Sequence, residues 1–134
     1  MKITGSCHCG AITYEAEVDP ATLSLCHCTD CQRLTGTAYR AAIPAPAASF
    51  VLHGEPTSYL KTAESGAKRR HAFCPTCGAP IFATAMENPI TYTLRFGTIN
   101  ERDQLARPRI QLWHRSAAAW SDDLHDIPAV EKQN

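Results

Sequence analysis

The sequence carries no surplus of charge of either sign. Lys plus Arg and Asp plus Glu both number 13, so the formal net charge is zero. Without a basic excess there is little to neutralise nucleic-acid phosphates, and no nucleic-acid partner is expected. The one basic run, Lys68-Arg69-Arg70-His71, reads as the solvated face of a strand or loop. Long apolar runs are also missing. No stretch approaches the ~18 residues of a membrane-crossing helix, and Met1–Gly10 has no apolar h-region of a secretory signal. No membrane partner is expected, and the expected location is cytoplasmic. Linkers and low-complexity segments are absent too. The 134 residues, 44% hydrophobic and 19% charged, suit one globular domain over 1–134 that can bury a core without covalent staples.

What the chain does have is cysteine, seven in three clusters: Cys7-His8-Cys9, Cys26-His27-Cys28-Thr29-Asp30-Cys31 and Cys74-Pro75-Thr76-Cys77. In a reducing compartment, CxC and CxxC spacings read as metal ligands before disulfides, and an odd count fits a full disulfide framework poorly.

Helix signals are few. Thr29–Leu34 is expected to form one short helix ended by Gly36, and Ser116 is a candidate N-cap for a turn through Trp120. Most other segments read as short strands. In Ala11–Val18, Ile12, Tyr14, Ala16 and Val18 share one face and Thr13, Glu15 and Glu17 the other. Further strands are expected at Ala38–Ile43, Ser49–Leu52, Thr57–Thr62, Arg70–Cys74, Pro80–Ala83, Ile90–Phe96 and Ile110–His114, with Pro44-Ala45-Pro46 a loop and the tail Ala129–Asn134 frayed. The fold class is mainly β, an antiparallel sheet assembly around one core.

Cys74-Pro75-Thr76-Cys77-Gly78 has the form of a zinc knuckle, its glycine permitting a tight turn beneath the sulfurs. Cys7-His8-Cys9-Gly10 is a second pair, and on an extended strand residues i and i+2 also point one way. Cys7, Cys9, Cys74 and Cys77 therefore read as one closed structural zinc site. The middle cluster, Cys26, Cys28 and Cys31, offers three thiolates, the third from the first turn of a helix. Three thiolates around one Zn²⁺ leave a net charge of −1, which helix N-terminal amides and Arg33 would ease. They also leave a fourth position open for water, a substrate thiol, His27 or a distant side chain. On a strand, His27 and His8 would point away from the metal. Two alternatives stay open: Cys7 and Cys9 joining the middle cluster, with Cys74 and Cys77 a redox pair, or a second purely structural zinc in the middle cluster.

Three blocks resemble the glutathione-dependent formaldehyde-activating enzyme and centromere protein V family: Gly5-Ser6-Cys7-His8-Cys9-Gly10-Ala11, Cys26 through Gly36, and Phe73 through Phe82. Gly97-Thr98-Ile99 and Trp120 sit where that family has comparable features, so the resemblance spans roughly residues 4 to 128. It implies a zinc-bearing β-tent of twisted antiparallel sheets with few short helices. It implies two zinc ions per chain, a structural one on Cys7, Cys9, Cys74 and Cys77 and a catalytic one on Cys26, Cys28 and Cys31. It also implies a carbon–sulfur lyase or synthase joining a small thiol such as glutathione to a small aldehyde such as formaldehyde. A chain shorter than the founding enzymes leaves the substrate pair open, and a non-catalytic zinc module that binds a partner protein is the competing function.

For such chemistry, zinc would acidify the thiol and the thiolate would attack the carbonyl carbon. Asp30, His27 and His114 are candidates to supply a proton to the oxygen, with a helix-start role the default for Asp30 and a strand face for His114. Arg40, Arg95 and Arg115 are candidates to bind carboxylates of a peptide-like thiol, with surface solvation the default for each. Trp113 and Trp120 read as core or lid packing, and His53, Tyr39 and Tyr92 carry no distinguishing signal.

Overall fold

The computed structural model describes residues 1–133 and is mainly β, with ten strands in two sheets and one α-helix among those residues. The strands are β1 (Lys2–Ser6), β2 (Thr13–Glu17), β3 (Ser24–Cys26), β4 (Arg40–Pro46), β5 (Val51–His53), β6 (Thr57–Thr62), β7 (Lys68–Phe73), β8 (Pro80–Ala85), β9 (Thr91–Arg95) and β10 (Ile110–Leu112). The helix α1 runs Thr29–Thr35 and ends at Gly36. A three-stranded sheet has the order β1-β2-β5, and a seven-stranded sheet the order β10-β3-β4-β9-β8-β7-β6.

The alternation expected for Ala11–Val18 is seen. Tyr14 and Ala16 of β2 are buried with Ile12 and Val18 beside them, and Ile3 of β1 joins from the next strand. From the larger sheet come Ile43 and Ala45 of β4, Ile81 and Phe82 of β8, and Leu94 of β9. β8 is buried from Ile81 through Thr84 on both faces, as suits a strand flanked by β7 and β9 and covered on each side. Phe50 stacks on Tyr92 at 4.2 Å, and both meet Phe82, so an aromatic cluster holds the two sheets together.

Several details depart from the sequence reading. β1 and β3 were not expected: β1 carries Gly5 among polar residues and β3 is only three residues long. Pro44-Ala45-Pro46 is not a loop but the second half of β4. There β4 pairs with β9 alone, having left β3 at Ala42, and a strand paired on one side accommodates residues that lack an N–H. The sheets are not wholly antiparallel either, since β10 runs parallel to β3. Residues 113 and 114 leave the expected last strand, and a 3-10 turn spans His114–Ser116; the turn expected through Trp120 is present, closed by Ser121 N–H donating to the Ala118 carbonyl, and Ser116 does not cap it. Trp113 and Trp120 are exposed, not core; Trp113 instead stacks beneath the Arg115 guanidinium at 4.8 Å. Residues 129–133 are exposed and lack helix or strand, and Asn134 lies outside the described residues. No helix among the described residues is long and apolar enough to cross a membrane.

Candidate metal centres

The first centre lies where the two sheets meet, because its halves are two similar loops. Cys7 and Cys9 occupy the turn between β1 and β2, so this CxC pair is brought together by a turn and not by an extended strand. Cys74 and Cys77 occupy the turn between β7 and β8. In each loop the first cysteine's N–H donates to the carbonyl five residues on: Cys7 to Ile12 at 3.0 Å and Cys74 to Ala79 at 2.9 Å. In each, a glycine with positive φ, Gly10 at 82° and Gly78 at 79°, reverses the chain after the second cysteine. The four sulfurs all lie within 4.8 Å of one another, with Cys7 to Cys9 at 3.6 Å and Cys9 to Cys74 at 3.7 Å. A Zn–S bond of about 2.3 Å gives a tetrahedral edge of about 3.8 Å, so the set fits a four-coordinate ion.

Backbone amides prepare these sulfurs for the thiolate state. The Ile12 amide donates to Cys7 Sγ at 3.3 Å. The Ala79 amide, followed by that of Cys9, holds the Cys77 thiol down to about 6. Cys9 receives the Ala11 amide, yet loss of water and crowding by the other three sulfurs drive it up to about 11. Four thiolates at this spacing cannot all stay charged without a cation among them.

The second centre is local. Cys26 ends β3, Cys28 is the N-cap of α1, and Cys31 lies in the helix's first turn. Their sulfurs also lie within 4.8 Å of one another. Cys28 Sγ accepts from the Cys31 amide at 3.2 Å, which places the expected helix-start amide on a ligand atom. Burial would raise the Cys28 thiol, but the Cys31 thiol and amide, Cys26 and the charge of Arg40 outweigh it and lower it. Cys31, buried and beside Cys28, is pushed up. Cys28 and Cys31 sulfurs stand 3.0 Å apart, so a tetrahedral ion would part them by somewhat under 1 Å.

His27 does not join this cluster. It is 1% exposed, its Nε2 meets Gln111 Oε1 at 2.8 Å, and its ring packs edge-on against Tyr39. Gln32 of α1 fastens the surroundings, its Nε2 donating to the carbonyls of His27 at 2.7 Å and Ser116 at 3.0 Å. His8 is exposed and outside the four-cysteine set. Asp30 is in the first turn of α1 and pairs with Lys61 at 2.9 Å, which holds its carboxyl low and therefore ionised at neutral pH. His114 is not on a strand; its Nε2 faces Asp122 at 2.8 Å. His53 is exposed.

The arginines divide. Arg115 is exposed, as is Arg33. Arg40 is half-buried, and Arg95 is only 6% exposed, so the surface default fails for Arg95. Arg40 pairs with Cys26 across β4 and β3, and Arg95 pairs with Ala42 across β9 and β4. Directly opposed residues share a sheet face, and so do residues two apart on one strand. Cys26, Arg40 and Arg95 therefore stand on the same face. His71, which the sequence left in a solvated basic run, is half-buried and its Nδ1 accepts from Arg95 Nη2 at 3.2 Å. The signal that might have found it was alternation: His71 is two residues from Arg69 and from Phe73, on the face of β7 that continues through Ala83 of β8.

The family model described as glutathione-dependent formaldehyde-activating enzyme matches residues 2–116. A crystal structure of a Rhodobacter sphaeroides protein is similar to this chain at 26% identity and a TM-score of 0.59, covering 81% of this chain and 98% of that one. The family match ends before Trp120.

Proposed function

The chain belongs to the glutathione-dependent formaldehyde-activating enzyme family, and from that premise we propose that it is a zinc-dependent carbon–sulfur lyase or synthase. Its substrates would be a small thiol such as glutathione and a small aldehyde such as formaldehyde, and its compartment the cytoplasm, where thiols stay reduced. The observation that carries this reading is the unequal division of the cysteines. Four sulfurs converge at one site and three at the other, and no His, Asp or Glu among the described residues completes the three.

On this reading Cys7, Cys9, Cys74 and Cys77 hold a structural zinc that ties the turn after β1 to the turn after β7. Cys26, Cys28 and Cys31 hold a catalytic zinc with its fourth position free for substrate. When bound there, zinc acidifies a coordinated thiol, making thiolate available near neutral pH for bond formation at a carbonyl carbon. The chain's own residues supply the setting. The Cys31 amide and the charge of Arg40 keep Cys28 ready as a thiolate ligand. Burial and the neighbouring charges of Arg95, Arg40, Lys61 and Arg69 lower His71 to about 4, leaving it neutral at working pH. Because an arginine can only donate, His71 Nδ1 is the acceptor and its proton rests on Nε2.

The test is zinc per chain together with hemithioacetal exchange for the native protein and Cys31→Ser. Two zincs in the native protein, loss of one in the variant and loss of exchange with an intact fold are expected. A folded Cys31→Ser variant with unchanged turnover would overturn the catalytic assignment and favour a non-catalytic zinc module.

A further inference from the structure

Arg95 is more than nine-tenths buried and Arg40 is half-buried, yet neither pairs with a carboxylate. The ion pairs among the described residues are Lys61–Asp30 and His114–Asp122. Each arginine also keeps a buried Nη1 without a hydrogen-bond acceptor, and Arg95 Nη2 meets only the neutral ring of His71. A buried cation is ordinarily paired, because stripping its water without replacement is unfavourable. The counter-charge has to come from another part of the fold.

The three-cysteine centre can supply it. Arg40 is the cross-strand partner of Cys26, and Arg95, opposite Ala42, stands on the same sheet face one strand further on. Burial works against ionisation of the Cys28 and Cys31 thiols, and the charge of Arg40 works for it. Burial also works against the cation at Arg95; Arg40 adds to that and Cys31 opposes it. Arg95 is pulled down to about 9 and so stays protonated at neutral pH. Arg33, which the sequence suggested would ease the charge of the trio, is exposed. The more buried pair is better placed for that task.

The charges then balance in only one state. Three thiolates around Zn²⁺ carry −1, whereas the two arginines carry +2. A neutral thiol in the fourth position leaves a surplus positive charge, and a thiolate there removes it. Away from bulk water an unbalanced charge is unfavourable, so the arginines favour the ionised ligand. Outer groups of this kind tune a metal without touching it.

We propose that Arg40 and Arg95 are positioning residues of the three-cysteine centre, whose joint positive charge drives ionisation of the thiol in its fourth position, whether or not that thiol carries a carboxylate. The proposal rests on the open-position reading above and adds the groups that complete the acidification. The S–H bond breaks heterolytically, sulfur keeps the electron pair and the proton passes to solvent; nothing is oxidised or reduced.

The experiment is calorimetric titration of the zinc-loaded protein, at fixed pH, with two probes. One is 2-mercaptoethanol, a thiol with no carboxylate. The other is imidazole, a neutral ligand that loses no proton on binding. A unit charge some 10 Å away within a protein changes a charge-forming equilibrium by about tenfold. Arg40→Gln should therefore bind 2-mercaptoethanol about tenfold more weakly and imidazole no more weakly, while Arg40→Lys, which keeps the charge, stays closer to the native protein. Unaltered 2-mercaptoethanol affinity in a zinc-replete Arg40→Gln would overturn the proposal. So would an equal loss for both probes, which marks distortion of the site, or a lysine variant as weak as the glutamine one, which marks shape and not charge. Hemithioacetal exchange separates the two readings. Exchange by a native protein whose thiol affinity is indifferent to Arg40 sinks this proposal and leaves the enzyme standing. Charge-dependent thiol binding without exchange keeps the proposal and sinks the enzyme. A native protein that binds neither probe overturns both.

Discussion

Arg95 donates to His71 across β9 and β7, two strands that are not neighbours but flank β8. The hydrogen bond thus bridges over the strand between them and presses a cation against an imidazole. That contact predicts an acid-sensitive step in stability. His71 binds a proton near 6.5 when unfolded but only near 4 when folded, so protonation favours the unfolded chain. Stability contributed by neutral His71 is present above about 6.5 and is lost as pH falls from there toward 4. Melting temperatures of the native protein and His71→Gln should diverge at pH 7 and converge toward pH 4; a constant gap across that range would refute the assignment. The cations around His71 are Arg95 on β9, Arg40 on β4, Lys61 on β6 and Arg69 on its own strand, and the carboxylate that feels its charge is Asp30 of α1.

Cys74 is fully buried and supplies one of four sulfurs joining the two sheets. Cys74→Ser should cost on the order of several kcal/mol and bring the zinc content to one per chain or less, because ligand loss here removes folding energy. A melting curve matching the native protein's would show that the four-cysteine set holds no structural ion.

Gly5 faces Tyr14 in the β1–β2 pairing, and a methyl group at that position would overlap the tyrosine ring. The ring cannot easily yield, since Tyr14 is 1% exposed and its hydroxyl lies 2.8 Å from Thr98 Oγ1. Gly5→Ala should therefore destabilise by about 1–3 kcal/mol or more through overpacking. Chemical denaturation reads this directly, and a neutral result would mean that β1 is free to shift.

Gln32 of α1 ties the turn over His114–Ser116 to the chain before the helix, its side chain donating to the carbonyls of Ser116 and of His27. Gln32→Ala removes both hydrogen bonds and should cost about 1–3 kcal/mol, with faster amide exchange at 114–118 and little change in the β-sheet amides. Unchanged exchange in the turn would show that the helix does not restrain it.

What the sequence disclosed followed physical range. The cysteine groupings were legible because metal ligands need particular atoms, and few other residues present sulfur at CxC and CxxC spacing. β2 was legible because one face meets a core and the other meets water, which leaves a period of two in Ile12, Tyr14, Ala16 and Val18. β4 was half legible: a proline usually ends a strand, and only the register shows that Pro44 and Pro46 sit where one side is unpaired. Arg95 could not be separated from Arg115 by sequence, since burial of a charge is decided by strands far away in the chain. His71 was hidden in a basic run whose neighbour Lys68 is indeed exposed. The parallel pairing of β10 with β3 joins segments more than eighty residues apart, a contact that local pattern does not encode.

The two candidate metal centres differ in how much chain must exist before each is complete. The three-cysteine set is finished once Cys31 has been made, whereas the four-cysteine set waits for Cys77. During synthesis from the N-terminus, Cys7 and Cys9 are a half-site while the trio is already whole. Metal supply therefore confronts two ligand sets that mature at different times, and the later one closes only when the loop between β7 and β8 returns to the start of the chain.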